Sequence, residues 1–354
     1  MGIRLLALTL SVLASWPAVA QQETPSATRQ EAPAAVPSNP ASEGTASPQQ
    51  VPDSSSMEVP RPSAIPDLAP GSDGKLSQEQ MQELFRVVAD KDLENDKRQR
   101  DYTYIMREVQ KNLDGKGELK STEIKTYEIL EIDGEQVQRL IKKDDKPLDA
   151  KEDAKEDEKI QKIIDKRKNE SDEERKKREA KEEKEREDGR KFVKEVADAY
   201  NFKLVGTEMV DGRDAWVIDG EPRPGFEPHM KEAKFLSKFH GRVWIDKSDL
   251  QLSKMDVETL DTVSIGLFLA RIHKGTRVIF EQTRINGEVW LPKQIDFKVN
   301  MRVALLKGYN LDGEQAYSDY RKFRTSTKIV GMGEVKDSPQ NDPPQADPPS
   351  QPQR

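Results

Sequence analysis

The chain has 354 residues, a formal net charge of −7 and no cysteine. The acidic balance argues against non-specific nucleic-acid binding, which needs a basic surface. The lack of cysteine excludes disulfides, thiolate metal sites and a lipid anchor on a cysteine after export. Only 34% of the residues are hydrophobic, a low share for a globular protein, so we expect polar segments outside a folded core.

The first twenty residues have the pattern of a secretory signal peptide. Arg4 supplies the positive charge, residues 5–14 form an apolar run, and Ala18-Val19-Ala20 offers a cleavage site of small residues. The run is shorter than the roughly 20 residues of a membrane-spanning helix, although a short anchor helix is the alternative. We therefore expect an exported, periplasmic protein that is soluble or peripheral to the outer membrane and has no transmembrane segment.

Two further segments have the composition of disordered chain. Residues 21–73 are rich in Pro, Ser, Ala and Gln, and residues 331–354 are rich in Pro. Neither segment can bury enough apolar surface to offset the entropy lost on ordering. The sequence thus predicts one folded domain at residues 74–330, between a tether and a tail.

That domain opens with a predicted helix. Ser77 and Gln80 match a capping box, and apolar residues then follow at helical spacing, among them Leu84, Phe85 and Val88. We expect this stripe to lie against a sheet as part of the core. If the sheet holds a ligand, the same helix is the candidate lid.

Residues 149–190 are almost entirely Lys, Arg, Asp and Glu. Opposite charges three and four residues apart favour a solvated helix, and Ser171 with Glu174 forms a second capping box that predicts a break into two helices. We interpret residues 149–200 as a charged helical insertion, in which residues 149–190 form an exposed arm without chemistry and the apolar stripe from Phe192 to Tyr200 docks on the domain. The alternative is that residues 149–190 bind an envelope protein.

The rest of the domain reads as hairpins of a large antiparallel sheet, which gives an α+β fold. Turn dipeptides separate alternating runs at Asp114-Gly115, Asp133-Gly134, Asp211-Gly212, Asn286-Gly287 and Asp312-Gly313. Residues 263–270 form the most hydrophobic run after the signal peptide, and we predict one strand at residues 263–272.

No catalytic pattern is present. The three histidines, His229, His240 and His273, lack the spacing of a zinc protease, and there is no nucleophile elbow or phosphate-binding loop. His229 and Glu232 are spaced so that they could share one face of a helix and bind a metal, but one such pair is expected by chance in a chain with so many acidic residues. We therefore predict a protein that is not an enzyme and has no catalytic residue, metal or cofactor; a hydrolase that acts on envelope polymers is the alternative.

Apolar strand residues are the remaining candidates for a site. They would either fill an ordinary core or line a lipophilic cavity. The candidate cavity residues are Trp244, Met255, Val257, Ile265, Leu267, Phe280, Trp290, Ile295, Phe297 and Val299.

The segments Gly241-Arg242-Val243-Trp244-Ile245-Asp246 and Asn286-Gly287-Glu288-Val289-Trp290-Leu291-Pro292 resemble the LolA-like group of outer-membrane lipoprotein-sorting proteins. The resemblance spans residues 76–330 without the charged arm. It implies a half-open, strongly curved antiparallel β-barrel covered by helices, whose concavity holds acyl chains of lipidated proteins or other lipids. The implied function is that of a periplasmic carrier or chaperone, and the alternative is an envelope scaffold that acts through the charged arm.

Overall fold

The computed structural model describes residues 68–133, 135–265, 270–303 and 307–323. The predicted signal peptide, the tail and all but the last six residues of the predicted tether lie outside these ranges. Leu68, in the described part of that tether, is buried in the main core.

Three α-helices, one 3₁₀ helix and thirteen strands make up the described chain. The helices are α1 (Gln78–Gln99), α2 (Ala150–Lys168) and α3 (Asp172–Ala199), and the 3₁₀ helix covers Glu232–Lys238. The strands are β1 (Tyr102–Leu113), β2 (Leu119–Ile132), β3 (Glu135–Lys143), β4 (Lys146–Pro147), β5 (Tyr200–Val210), β6 (Arg213–Pro222), β7 (Phe239–Asp246), β8 (Leu252–Thr259), β9 (Val263–Ile265), β10 (Ala270–Ile272), β11 (Arg277–Ile285), β12 (Val289–Val303) and β13 (Lys307–Lys322).

All thirteen strands belong to one large antiparallel sheet, as the sequence predicted. The order is β4-β3-β2-β1-β13-β12-β11-β8-β7-β6-β5. Outside this path, β10 pairs with the C-terminal end of β12, and β9 pairs with β10. The sheet is not closed, because its path ends at β4 on one side and β5 on the other. Residues 74–76 partly cover the β5 edge, where the Leu76 nitrogen donates to the Phe202 oxygen at 3.1 Å.

Two of the predicted turn dipeptides have the backbone of a tight hairpin. Asp211 and Gly212 take φ angles of 50° and 77°, and Asn286 and Gly287 take 51° and 67°. Positive φ at both central residues gives the type I′ twist that matches the flanking strands. These two predictions are confirmed.

The turn predicted at Asp312-Gly313 is wrong. Both residues lie inside β13, where Gly313 pairs with Gln110 of β1 and Phe297 of β12. A Cβ at Gly313 would sit 2.5 Å from the Phe297 ring and from the Val109 carbonyl oxygen. Close packing inside the sheet therefore requires glycine at this position. The Asp-Gly dipeptide is also typical of tight turns, so the local sequence does not distinguish the two cases.

The single strand predicted at residues 263–272 is also wrong. The two ends of this run form β9 and β10, which pair with each other so that Val263 lies opposite Ile272. An apolar composition alone does not distinguish one buried strand from two short ones.

Both predicted capping boxes are present. The Gln80 nitrogen donates to Ser77 Oγ at 3.2 Å, and the Ser77 nitrogen donates to Gln80 Oε1 at 2.9 Å. Ser171 and Glu174 make the same reciprocal pair at the start of α3. Each box satisfies two donors that a helix N-terminus leaves free, so the break between α2 and α3 falls where the sequence placed it.

The first charged helix, α2, lies against the sheet. Ile160 and Ile164 are buried against Ile132 and Val137 of the β2–β3 hairpin, and Arg139 reaches Asp153 and Asp157 at 2.7 Å. Residues 172–190 of α3 are exposed or half-buried. Within residues 149–190, α2 is therefore docked on the sheet, whereas the first part of α3 is solvated.

Strand pairing places two rows of side chains on one face of the sheet, because directly opposite residues of an antiparallel pair share a face. The first row is Leu204, Ile218, Val243, Met255, Phe280, Ile295, Gln315 and Glu108. The second row is Phe202, Gly220, Gly241, Val257, Val278, Phe297, Gly313 and Gln110. Both rows are apolar or glycine from β5 to β12 and end in polar residues on β1. We call this the cavity face.

The two ends of the sheet carry different cores. On β5 to β8, the cavity face packs against α1, α3 and the 3₁₀ helix. On β1, β2 and β13, the core is built from tyrosines and a few aliphatic residues, with the Tyr104 ring 5.9 Å from Tyr317 and 5.8 Å from Tyr320.

Candidate functional site

An apolar cavity lies between the cavity face and its covering helices. Its volume is about 110 Å³, which is smaller than the range of about 300–1,000 Å³ typical of pockets that enclose a whole ligand. It is lined by Phe85, Phe192, Val196, Tyr200, Phe202, Ile218, Gly220, Glu232, Phe235, Leu236, Phe239, His240, Gly241, Val243, Met255 and Val257.

The covering side of the cavity comes from three helices. Phe85 of α1 meets the Phe202 ring edge to face at 5.2 Å, and α3 contributes Phe192 and Val196. The 3₁₀ helix contributes Phe235 and Leu236. The covering side is therefore aromatic and aliphatic.

The sheet side of the cavity contains a facing pair of glycines. Gly220 and Gly241 lie opposite each other on β6 and β7, so main-chain atoms form that part of the wall. A Cβ at Gly220 would meet the Phe202 ring at 3.1 Å, and one at Gly241 would meet the Asp256 carbonyl oxygen at 3.2 Å. A strand glycine weakens the strand, and it marks a place where groups approach the backbone closely.

Few polar groups reach the cavity. The Tyr200 hydroxyl donates to the Leu236 oxygen at 2.7 Å, and burial raises the pKa of this phenol, which therefore stays neutral. Glu232 and His240 are the other titratable residues of the lining, and the His240 Nδ1 lies 3.7 Å from Glu221. The lining suits an apolar guest.

Three of the residues predicted from sequence line this cavity, namely Met255, Val257 and Phe85. Phe280 and Ile295 pack directly beside Met255. Phe297 and Val299 lie further along the same face, in a cluster on β12 and β13.

The two predicted tryptophans lie elsewhere. Trp244 points to the opposite face with Ala215 and Val217, and its Nε1 donates to Glu208 at 2.8 Å. Trp290 donates from Nε1 to Asp249 at 2.9 Å and lies beneath the Arg213 guanidinium.

Two other candidates cannot be placed. Leu267 and the side chain of Ile265 lie outside the described residues.

The helix predicted as a lid is held at both ends. Gln78 donates to the Tyr200 oxygen at 2.9 Å, while Asn95 and Gln99 donate to the Trp290 oxygen at 2.8 and 2.7 Å. Leu84 is fully buried in the core.

Val88, the third predicted lid residue, packs at the edge of that core. Only Phe85 of the three reaches the cavity.

The sequence reasoning missed Phe235 and Phe239. Phe235 lies in the 3₁₀ helix, Phe239 directly follows it, and both line the cavity. Their four-residue spacing after a Pro- and Gly-rich loop was the available signal. It could not show that this segment lines the same cavity as Phe85 of α1, which lies about 150 residues earlier in the chain.

The described residues hold no group of three or more His, Asp and Glu that could bind a metal ion. His229 does not pair with Glu232, because its Nδ1 lies 3.1 Å from Glu195 of α3. In the same described ranges, no helix is long and apolar enough to cross a membrane.

Comparisons with known proteins give structural matches only. No protein-family model matches the chain, and no curated protein matches it. The chain is similar to a structure described as an outer membrane lipoprotein-sorting protein domain from Vibrio parahaemolyticus, with 15% identity, coverage of 71% of this chain and 95% of that one, and a TM-score of 0.30.

Two further structures are similar over the same share of this chain. A LolA superfamily protein from Nitrosomonas europaea is 12% identical over 71% of this chain and 97% of its own, with a TM-score of 0.28. A DUF1329 family protein from Desulfovibrio piger is 13% identical over 71% and 95%, with a TM-score of 0.26. The group named from the sequence thus recurs among the similar structures, and at these TM-scores the matches add nothing to the description of the site.

Proposed function

We propose that the protein is a non-enzymatic carrier or chaperone that binds acyl chains of lipoproteins or other lipids in the cavity. The observation that carries the proposal is the cavity itself, whose lining is almost entirely aromatic, aliphatic and glycine. Each methylene moved from water into such a site gains about 0.8 kcal/mol. Binding of this kind requires no catalytic group.

The finer architecture belongs to the same proposal. The open sheet would be a half-open, strongly curved barrel, and α2 with α3 would form the insertion that joins its two edge strands, β4 and β5. The signal-like N-terminus supports export to the periplasm, where a carrier would take part in lipoprotein sorting. The charged residues of α3 up to position 190 would remain in solvent.

Lipid that co-purifies with the protein tests the proposal. Protein isolated without detergent is extracted with organic solvent, and the extract is analysed by mass spectrometry. We expect lipid or acylated peptide in stoichiometric amount. An empty extract, together with no binding of added fatty acid, would exclude the function.

A matched pair of variants tests the location. Val257→Trp fills the cavity from β8, whereas Val205→Trp makes the same change at an exposed position of β5. We expect the first variant to lose most bound lipid and the second to keep it. Equal loss in both would place the lipid elsewhere.

A further inference from the structure

Glu195 is a buried carboxylate beside the cavity. It lies on α3 between Phe192 and Val196, which line the cavity, and it is only 7% exposed. Such a charge is stable in a protein only when it is paired or hydrogen-bonded. Its partners lie in the loop that leads into the 3₁₀ helix.

Two contacts join Glu195 to that loop. The main-chain nitrogen of His229 donates to Oε1 and Oε2 at 3.1 and 3.2 Å, and the His229 Nδ1 lies 3.1 Å from Oε1. The loop begins at the same helix end, where the Arg223 nitrogen donates to the Ala199 oxygen at 2.8 Å. Both ends of the loop are therefore fixed to α3.

The loop controls one wall of the cavity. His229 is three residues before the 3₁₀ helix that carries Phe235 and Leu236. The far end of this wall is held separately by the bond from Tyr200 to the Leu236 oxygen. Loss of the Glu195 contacts would therefore release the near end of the wall while the far end stays attached.

We propose that Glu195 is a positioning residue that clamps the 3₁₀ helix against α3 and so sets the rate at which cargo enters and leaves the cavity. The statement about cargo rests on the proposed function. The statement about the clamp rests on the geometry alone.

Hydrogen–deuterium exchange of the full-length chain tests the clamp. A hydrogen bond to a charged group changes the equilibrium constant for local opening by about tenfold or more. We therefore expect Glu195→Ala to speed exchange in residues 224–238 about tenfold. Glu195→Gln keeps an acceptor and should restore most of the protection. His229→Ala keeps the main-chain bond and should lie between the two.

Glu187→Ala is the matched control. It makes the same change on the same helix, at an exposed residue that pairs with Lys191, and should behave as the wild type. Unchanged exchange at 224–238 in Glu195→Ala would overturn the proposal, and so would an equal rise in residues 102–132, since that shows general destabilisation. If Glu195→Ala does not fold, His229→Ala decides the question: faster exchange confined to residues 224–238 supports the clamp, and unchanged exchange there overturns it.

Release of a pyrene-labelled long-chain fatty acid adds the functional readout. We expect Glu195→Ala to speed both association and dissociation, so that Kd changes less than either rate. A change in Kd through one rate alone would contradict a gating role. If the wild type binds no fatty acid while exchange responds as expected, the clamp stands and the proposed function fails.

Discussion

The two halves of one sheet bury the same face in different ways. From β5 to β8 the face is covered by helices, which leave a cavity between large side chains. On β1, β2 and β13 the face is covered largely by its own tyrosines, which pack ring against ring. A cover made of separate elements can leave space or move, whereas side chains rooted in the sheet cannot. The helix-covered half is therefore the one that holds the cavity.

Leu84→Ala should give the largest effect, because it weakens the helical cover. The side chain is fully buried in the helix-covered core, and removal of such a leucine costs about 2–5 kcal/mol. Urea unfolding measures the change. Leu119→Ala, at a position that is 60% exposed, should stay within about 0.5 kcal/mol. Similar losses in both would show that α1 contributes little to the core.

Asn95→Ala tests the link between the two halves. Asn95 accepts from the Trp290 nitrogen and donates to its oxygen, both at 2.8 Å and both buried. Loss of these bonds should cost about 1–3 kcal/mol in unfolding free energy. Asn112→Ala removes a side chain whose bond to Ser121 is exposed and should have little effect. Unchanged stability of Asn95→Ala would mean that Asn95 itself does not anchor this end of α1.

Gly313→Ala tests the packing of β13 against its neighbours β1 and β12, in the half of the sheet that does not hold the helix-covered cavity. The new methyl group would clash with Phe297 and with the Val109 carbonyl oxygen, so we expect a loss of about 1–3 kcal/mol. Gly308→Ala makes the same change in the same strand, where no heavy atom lies within 4 Å, and thermal unfolding should show no loss. An equal response would contradict the close approach.

Alkaline pH should weaken the tyrosine core, with the smallest effect near neutrality. Burial raises the pKa of Tyr104, Tyr317 and Tyr320, and it raises that of Tyr127 to about 12. A folded-state pKa above the unfolded value of about 10 means that stability is complete below pH 10 and is lost as the pH rises further. Urea unfolding between about pH 8 and 11 measures the slope. Tyr317→Phe should reduce that slope, and an unchanged slope would exclude this residue as its source.

The sequence predicted local features well. The capping boxes at Ser77 and Ser171 and the turns at Asp211 and Asn286 each depend on residues within four positions, so a short window contains their whole cause. Strand alternation also placed Met255 and Val257 on one face.

The failures depend on distant contacts. The local sequence Asp312-Gly313 predicts a turn, because it does not show that Phe297 and Val109 lie close to the glycine in the folded sheet. Trp244 is as apolar as its neighbour Val243, and only the packing of β6 shows that it points away from the cavity. The cavity itself depends on Phe85 and Phe235, which are distant in sequence, lining the same space, and no local pattern records that.

The pairing of β1 with β13 has a consequence for how the molecule is made. Tyr102 lies opposite Lys322, so the centre of the sheet joins strands near the two ends of the described chain. A chain that emerges N-terminus first can form the β1–β2–β3 meander early, because those contacts are local. The meander cannot join the half that holds the cavity until β13 has emerged. Synthesis that stops before β13 would therefore leave two partial sheets, each with an open edge.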